Sequence, residues 1–245
     1  MRFSLISLFP EVLAPYLDAS IVGRARQRGL ITVDLLNPRT FSTDPHRKVD
    51  DAPYGGGPGM LLACQPVEDA LASLQPLALP ARILMTCPSG RVLDQAMAAE
   101  LATCAQVVVL CGHYEGFDAR LLQLIPQVET VSLGDFVLTG GELPALCLVD
   151  AVTRLLPGAV QKMSSVVDDA FYDPARPRLD TPHYTRPAVY KGLAVPEVLR
   201  SGNHTAIARW RKQMSLRLTQ QLRPDLLARA PLSQEEQVLL EAWPD

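Results

Sequence analysis

The chain contains no run of about 18 uncharged apolar residues, the length a bilayer-crossing helix requires. Its first residues, MRFSLISLFPE, meet Pro10 and Glu11 before a signal-peptide core could form. A soluble, cytoplasmic protein with no membrane partner is therefore expected. The five cysteines, Cys64, Cys87, Cys104, Cys111 and Cys147, include no CxxC pair and are odd in number, which disfavours structural zinc and a disulfide framework. In apolar surroundings they read as reduced, buried small hydrophobes. Internal repeats and low-complexity tracts are missing. So are the two commonest phosphate cradles: GGGPGM (residues 55–60) lacks the Lys and Ser/Thr of a Walker loop, and no GxGxxG opens a helix after the first strand.

What remains is ordinary globular material, 245 residues of which 48% are apolar and 20% charged, enough for one large domain or two modest ones. The net charge of -3 argues against a general polyanion binder, yet its distribution is uneven. Residues 176–229 hold eleven Lys or Arg against three acids, so this segment carries +8 and the rest -11. Such asymmetry points to a nucleic-acid surface confined to one region.

Up to residue 160, short apolar runs alternate with helical patterns, which predicts an α/β fold with a mostly parallel sheet. FSLISLF (3–9), ITVDLL (31–36), RILMT (82–86), QVVVLCG (106–112) and VETVSLG (128–134) read as strands. Residues 66–74 and 93–103 carry helical spacing, and 143–156 form a long apolar helix with Pro144 in its first turn. HRKVDD (46–51) is a charged stretch, not a strand, and the glycine-rich loop after it could serve as a mobile cover. Residues 161–187 lack periodicity and read as a linker. Beyond it, a short helix stops near Gly202 and a longer one is capped by Asn203 or Thr205, with Ile207, Trp210, Met214 and Leu218 sharing one face. Arg209, Arg211, Lys212 and Arg217 fall largely outside that face.

Ligands of open parallel sheets bind beyond the carboxyl ends of strands. Three loops there carry glycine: MTCPSG (85–90), CGHYEG (111–116) and LGDFVLTGG (133–141). A glycine can be an ordinary turn; three such loops together indicate a ligand gripped by main chain, and adenine or a sulfonium-bearing amino acid fits that description.

LFPE (8–11), HRKVDDAPYGGGPGM (46–60), CGHYEG, GDFVLTGGELPA (134–145), HYTRP (183–187), SGNH (201–204) and RWR (209–211), in this order and nearly end to end, strongly resemble the bacterial tRNA (guanine-N1-)-methyltransferase family, TrmD, of the SPOUT class. The resemblance implies a mostly parallel α/β fold with a deep trefoil knot, a homodimer with active sites at the subunit interface, and a small helical C-terminal domain. It divides the chain into a catalytic domain (1–160), a linker carrying the general base (161–175) and a tRNA-binding domain (176–245). It implies S-adenosylmethionine bent in the knot against Met85, Thr86, Pro88 and Gly90 of the first loop, Gly112, Tyr114 and Glu115 of the second, and Leu133, Gly134, Asp135, Phe136, Val137, Leu138, Gly140 and Gly141 of the third.

By the same resemblance the methyl group goes to N1 of the guanine immediately 3′ of the anticodon, with Asp169 as general base, preferred to neighbouring Asp168, and Arg154 as the catalytic arginine. Residues 50–60 would close over the flipped guanine, with His46, Asp50, Tyr54 and Gly59 among the tRNA contacts, and Arg209, Arg211 and Lys212 would hold phosphates. No protein-held metal is implied, though Mg²⁺ could assist. The chain departs from the family at His113, commonly Arg, at Phe136, commonly Tyr, and in TCPSG, commonly LSPQG. Two other readings predict different behaviour: a non-enzymatic binder with a helix-turn-helix-like C-terminal region, and a knotted methyltransferase acting elsewhere on RNA.

Overall fold

A computed structural model describes residues 1–160 and 169–241. The chain divides into two compact units, Met1–Gln161 and Lys162–Asp245.

The first unit is built on five strands, β1 (Arg2–Ile6), β2 (Thr32–Leu36), β5 (Ala81–Val92), β6 (Gln106–Leu110) and β7 (Val128–Ser132), in the order β2-β1-β6-β5-β7. Every pairing is parallel. A parallel sheet is covered on both faces, so its inner strands are apolar throughout; all five residues of β6, QVVVL, are buried. Alternation along the strands sorts their side chains into two cores. Phe3, Leu5, Leu84, Val107 and Val109 meet α1 (Pro10–Leu17), α2 (Ser20–Gln27), α4 (Gln95–Ala102) and α6 (Glu142–Thr153). Ile6, Ile83, Met85, Val108 and Leu110 meet α3 (Cys64–Ala72) and α5 (Leu121–Leu124) on the other side.

Three local features differ from the sequence expectation. The first strand ends at Ile6 and not at Phe9, because the Phe9 N–H donates to the Ser7 hydroxyl at 2.9 Å and bends the chain into α1. The third runs past Thr86: Thr86 and Arg91 both register with Val131, so residues 87–90 bulge out of β5 and pairing then resumes. Within HRKVDD, Asp50 and Asp51 form a short strand, β3, that pairs antiparallel with Leu61–Leu62, β4, which makes the glycine-rich loop the tip of a hairpin.

The second unit holds a two-stranded hairpin, β8 (Val189–Tyr190) and β9 (Leu193–Ala194), and the helices α7 (Glu197–Arg200), α8 (His204–Leu222), α9 (Pro224–Arg229) and α10 (Gln234–Glu241). Asn203 caps α8, its side chain accepting from the Ala206 N–H. The most buried line on α8 is Gln213, Leu216 and Thr219, not the more apolar Ile207, Trp210, Met214 and Leu218. Hydrogen bonding explains this: the Leu179 N–H donates to Thr219 Oγ1 at 2.9 Å, and Gln213 Nε2 donates to the Leu239 carbonyl at 2.9 Å. Buried polar groups with partners can occupy an inner face that periodicity assigns to hydrophobes. Among the described residues, no helix is long and apolar enough to cross a membrane.

Candidate functional site

At the bulge within β5 and the carboxyl ends of β6 and β7 three bends lock together through Thr86. The Gly112 N–H donates to Thr86 Oγ1 at 2.8 Å, the Thr86 hydroxyl donates to the Leu110 carbonyl at 3.3 Å, and the Gly141 N–H donates to the Gly112 carbonyl at 2.7 Å. Glycine is required by space. A Cβ on Gly141 would lie 2.1 Å from Thr86 Oγ1 and 2.6 Å from the Gly112 nitrogen. One on Gly90 would lie 2.4 Å from the Val131 nitrogen. Gly134 needs glycine for another reason, its φ of +146°.

Between the bends lies a cavity of about 260 Å³. Thr86 and Pro88 of the first loop line it, with Gly112, Tyr114 and Glu115 of the second and Leu133, Phe136, Val137, Leu138, Gly140 and Gly141 of the third. Met85, Gly90, Gly134 and Asp135, expected at the ligand, do not. The reason is strand geometry for Met85, whose side chain is 4% exposed and packed in the core. Cys87, His113, Gly116, Val131, Ser132, Thr139 and Pro144 also line the cavity and were not expected. Cys87, His113, Gly116 and Thr139 lie inside the three quoted motifs, so proximity to an expected residue was the signal; Val131 and Ser132 gave none, being strand residues.

The wall is apolar and open, with Phe136 54% and Val137 85% exposed. His113 bridges to Gly140, packs its ring against Phe9 and Tyr114, and leaves a buried Nδ1 without a hydrogen bond. Burial holds the Cys111 thiol well above its ordinary range, and the Glu142 carboxylate adds to the effect. The cover hairpin is tied to the second bend, the Leu62 N–H donating to the Gly116 carbonyl at 2.8 Å and the Glu115 N–H to that of Met60 at 3.0 Å. Asp50 is half-buried at its base, while His46 is exposed and Tyr54, at the tip, 99% exposed. A Cβ on Gly59 would lie 2.5 Å from the Glu115 side chain.

Arg154 forms the carboxyl cap of α6, half-buried. In the second unit Asp169 is half-buried and lines a cavity of about 410 Å³ with Arg176, Arg178, His183, Arg211 and Lys212. Asp168 lies outside the described residues, as does most of the expected linker. Arg209, Arg211 and Lys212 are all exposed on α8, and Lys212 pairs with Glu235 at 2.8 Å. Among the described residues no group of three or more His, Cys, Asp or Glu is placed to hold a metal ion.

Residues 1–229 match the family described as "tRNA (Guanine-1)-methyltransferase TrmD". A protein of Synechococcus sp. (strain JA-2-3B'a(2-13)) named "tRNA (guanine-N(1)-)-methyltransferase" is 53% identical over 240 residues, 98% of this chain and 94% of its own length. Its namesake from Thiobacillus denitrificans is 53% identical over 234 residues, 94% of this chain and 98% of its own. That of Limosilactobacillus fermentum is 46% identical over 245 residues, 98% and 95% of the two chains. With the match spanning both units and every motif around the cavity, the chain belongs to the tRNA (guanine-1)-methyltransferase family, TrmD.

Proposed function

We propose that this protein transfers a methyl group from S-adenosylmethionine to N1 of the guanine immediately 3′ of the anticodon in tRNA. The observation that carries this reading is the cavity walled by three interlocked glycine bends in a chain of this family. The segments cross so closely that Gly141 and Gly90 have no room for a side chain, and the backbone of Gly112, Gly140 and Gly141 lines the cavity, as suits an adenosyl ligand held by backbone groups. The donor, when bound, supplies an electrophilic methyl group on a sulfonium sulfur. Thr86, Gly112 and Gly141 fix the bends around it, and Phe136, Val137 and Leu138 shield it from water.

Asp169 is the general base. Guanine N1 carries a proton and is a poor nucleophile, so a carboxylate must accept that proton as the nitrogen bonds to carbon. Arg154 stabilises the negative charge that develops on O6. The base leaves its stack to be read and modified, and residues 50–60 close over it. Arg209, Arg211 and Lys212 hold the tRNA backbone. The close threading at Gly141 suits a deep trefoil knot, and the fold works in the cytoplasm as a homodimer whose active sites lie at the subunit interface. Mg²⁺ is given no ligand set.

The test is incorporation of label from S-adenosylmethionine into paired tRNA transcripts with guanine or adenine at that position. Incorporation only into the guanine transcript is expected. Equal incorporation removes the assigned specificity, and none into either removes the activity.

A further inference from the structure

Beneath the floor of the cavity sits a buried carboxylate that the proposed chemistry does not use. Glu142 opens α6 and is 7% exposed. Its Oε1 accepts a hydrogen bond of 2.6 Å from the hydroxyl of Ser7, itself 1% exposed. The Ser7 oxygen accepts in turn from the Phe9 N–H at 2.9 Å, so the bend after β1 holds the carboxylate in place. The other oxygen faces the cavity floor: a Cβ on Gly140 would lie 2.2 Å from Glu142 Oε2 and 3.0 Å from the His113 ring. Among the described residues no cation is ion-paired with Glu142.

Burying a charge without a counterion is costly, and a chain keeps such a group only where something compensates it. The N-terminus of α6 offsets part of the charge, because a carboxylate in a first turn opposes the positive end of the helix dipole. Across the glycine floor lies the space assigned to the donor. S-adenosylmethionine carries a sulfonium, an ammonium and a carboxylate, for a net charge of +1. Its demethylated product, a thioether, is neutral overall. A bare helix N-terminus facing that space would disfavour the cationic species; Glu142 reverses the sign. Burial, with the Glu142 carboxylate adding to it, raises the pKa of the neighbouring Cys111 thiol.

We propose that Glu142, held by Ser7, biases the cavity toward the cationic methyl donor over the neutral thioether product. The inference rests on the cavity being the donor site. It gives the buried carboxylate a role in exchange: once the methyl group leaves, the ligand loses its net positive charge and the attraction that favoured it.

The experiment is calorimetric titration of the full chain with S-adenosylmethionine and, separately, S-adenosylhomocysteine, for wild type, Glu142→Gln, Glu142→Asp and Ser7→Ala. Glu142→Gln should weaken the donor about tenfold relative to the product, the scale of one through-space charge interaction in a partly screened site. Glu142→Asp retains the charge and should hold the ratio of the two affinities within about twofold of wild type. Ser7→Ala frees the carboxylate and should shift the ratio part of the way, about threefold; it gives the same reading should Glu142→Gln not fold. Equal weakening of both ligands marks Glu142 as a purely structural group and overturns the inference, as does an unchanged ratio. A wild-type protein that binds neither ligand rejects the donor site itself, an outcome separate from either of these.

Discussion

Gly141 and Thr86, 55 positions apart in sequence, approach so closely that a Cβ on the glycine would sit 2.1 Å from the threonine hydroxyl oxygen. The contact joins the loop before α6 to the bulge in β5. Because backbone at Gly112 and Cys111 crowds the same point, a shift of Thr86 alone cannot relieve it. Gly141→Ala should therefore lower stability by about 1–3 kcal/mol, the usual penalty of overpacking. It should also weaken S-adenosylmethionine binding by at least about tenfold, read by denaturant melts and calorimetry.

Thr86→Val keeps the shape of the junction and removes its hydroxyl. The Gly112 N–H loses its partner at a half-buried position, a loss of about 1–3 kcal/mol. Thr86→Ser retains the hydroxyl and should recover most of the loss in the same melts.

Asp169→Asn tests the general base. Single-turnover methylation should slow by about 10²- to 10⁴-fold, the range a positioned base contributes. Donor affinity should stay within about twofold. A parallel loss of donor binding would instead make Asp169 a structural residue.

Replacing Arg209 and Arg211 together by Ala removes two exposed cations from α8. tRNA affinity should fall for cognate and altered transcripts alike, and the salt dependence of binding should flatten by about one unit of slope per lost phosphate contact. Filter binding over a salt series reads both.

Acid should loosen the first unit through Asp118. The Arg120 guanidinium and backbone N–H hold the Asp118 carboxyl down at about 2, below its unfolded value of about 3.9. A depressed carboxyl adds stability above its unfolded pKa and loses it as pH falls through the folded value. Asp118→Asn should thus flatten the decline in urea midpoint between about pH 4 and pH 2, and leave the pH dependence above about 5 unchanged.

The sheet was legible because buried parallel strands are apolar without interruption: FSLI, RILM and QVVVL announce themselves. Short, weakly patterned pieces did not. Helix α1 begins with Pro10, contains Pro15 and spans only eight residues, too few for its period to register. The β3–β4 pairing was hidden because an antiparallel pair of two residues on each side has no alternation to read. On α8 hydrogen bonds bring Gln213 and Thr219 inside, which apolar spacing does not signal.

The sequence by itself determined the parallel α/β framework, the three glycine bends and the family, since each is written in contiguous residues. Only the tertiary structure decided that Thr86, Gly112 and Gly141 meet, that the Met85 side chain packs in the core, and that Glu142 lies under the cavity floor. These are contacts between segments separated by 26 to 135 positions. They depend on the order β6-β5-β7 and on the close approach that bare main chain allows, and no local pattern of side chains encodes either.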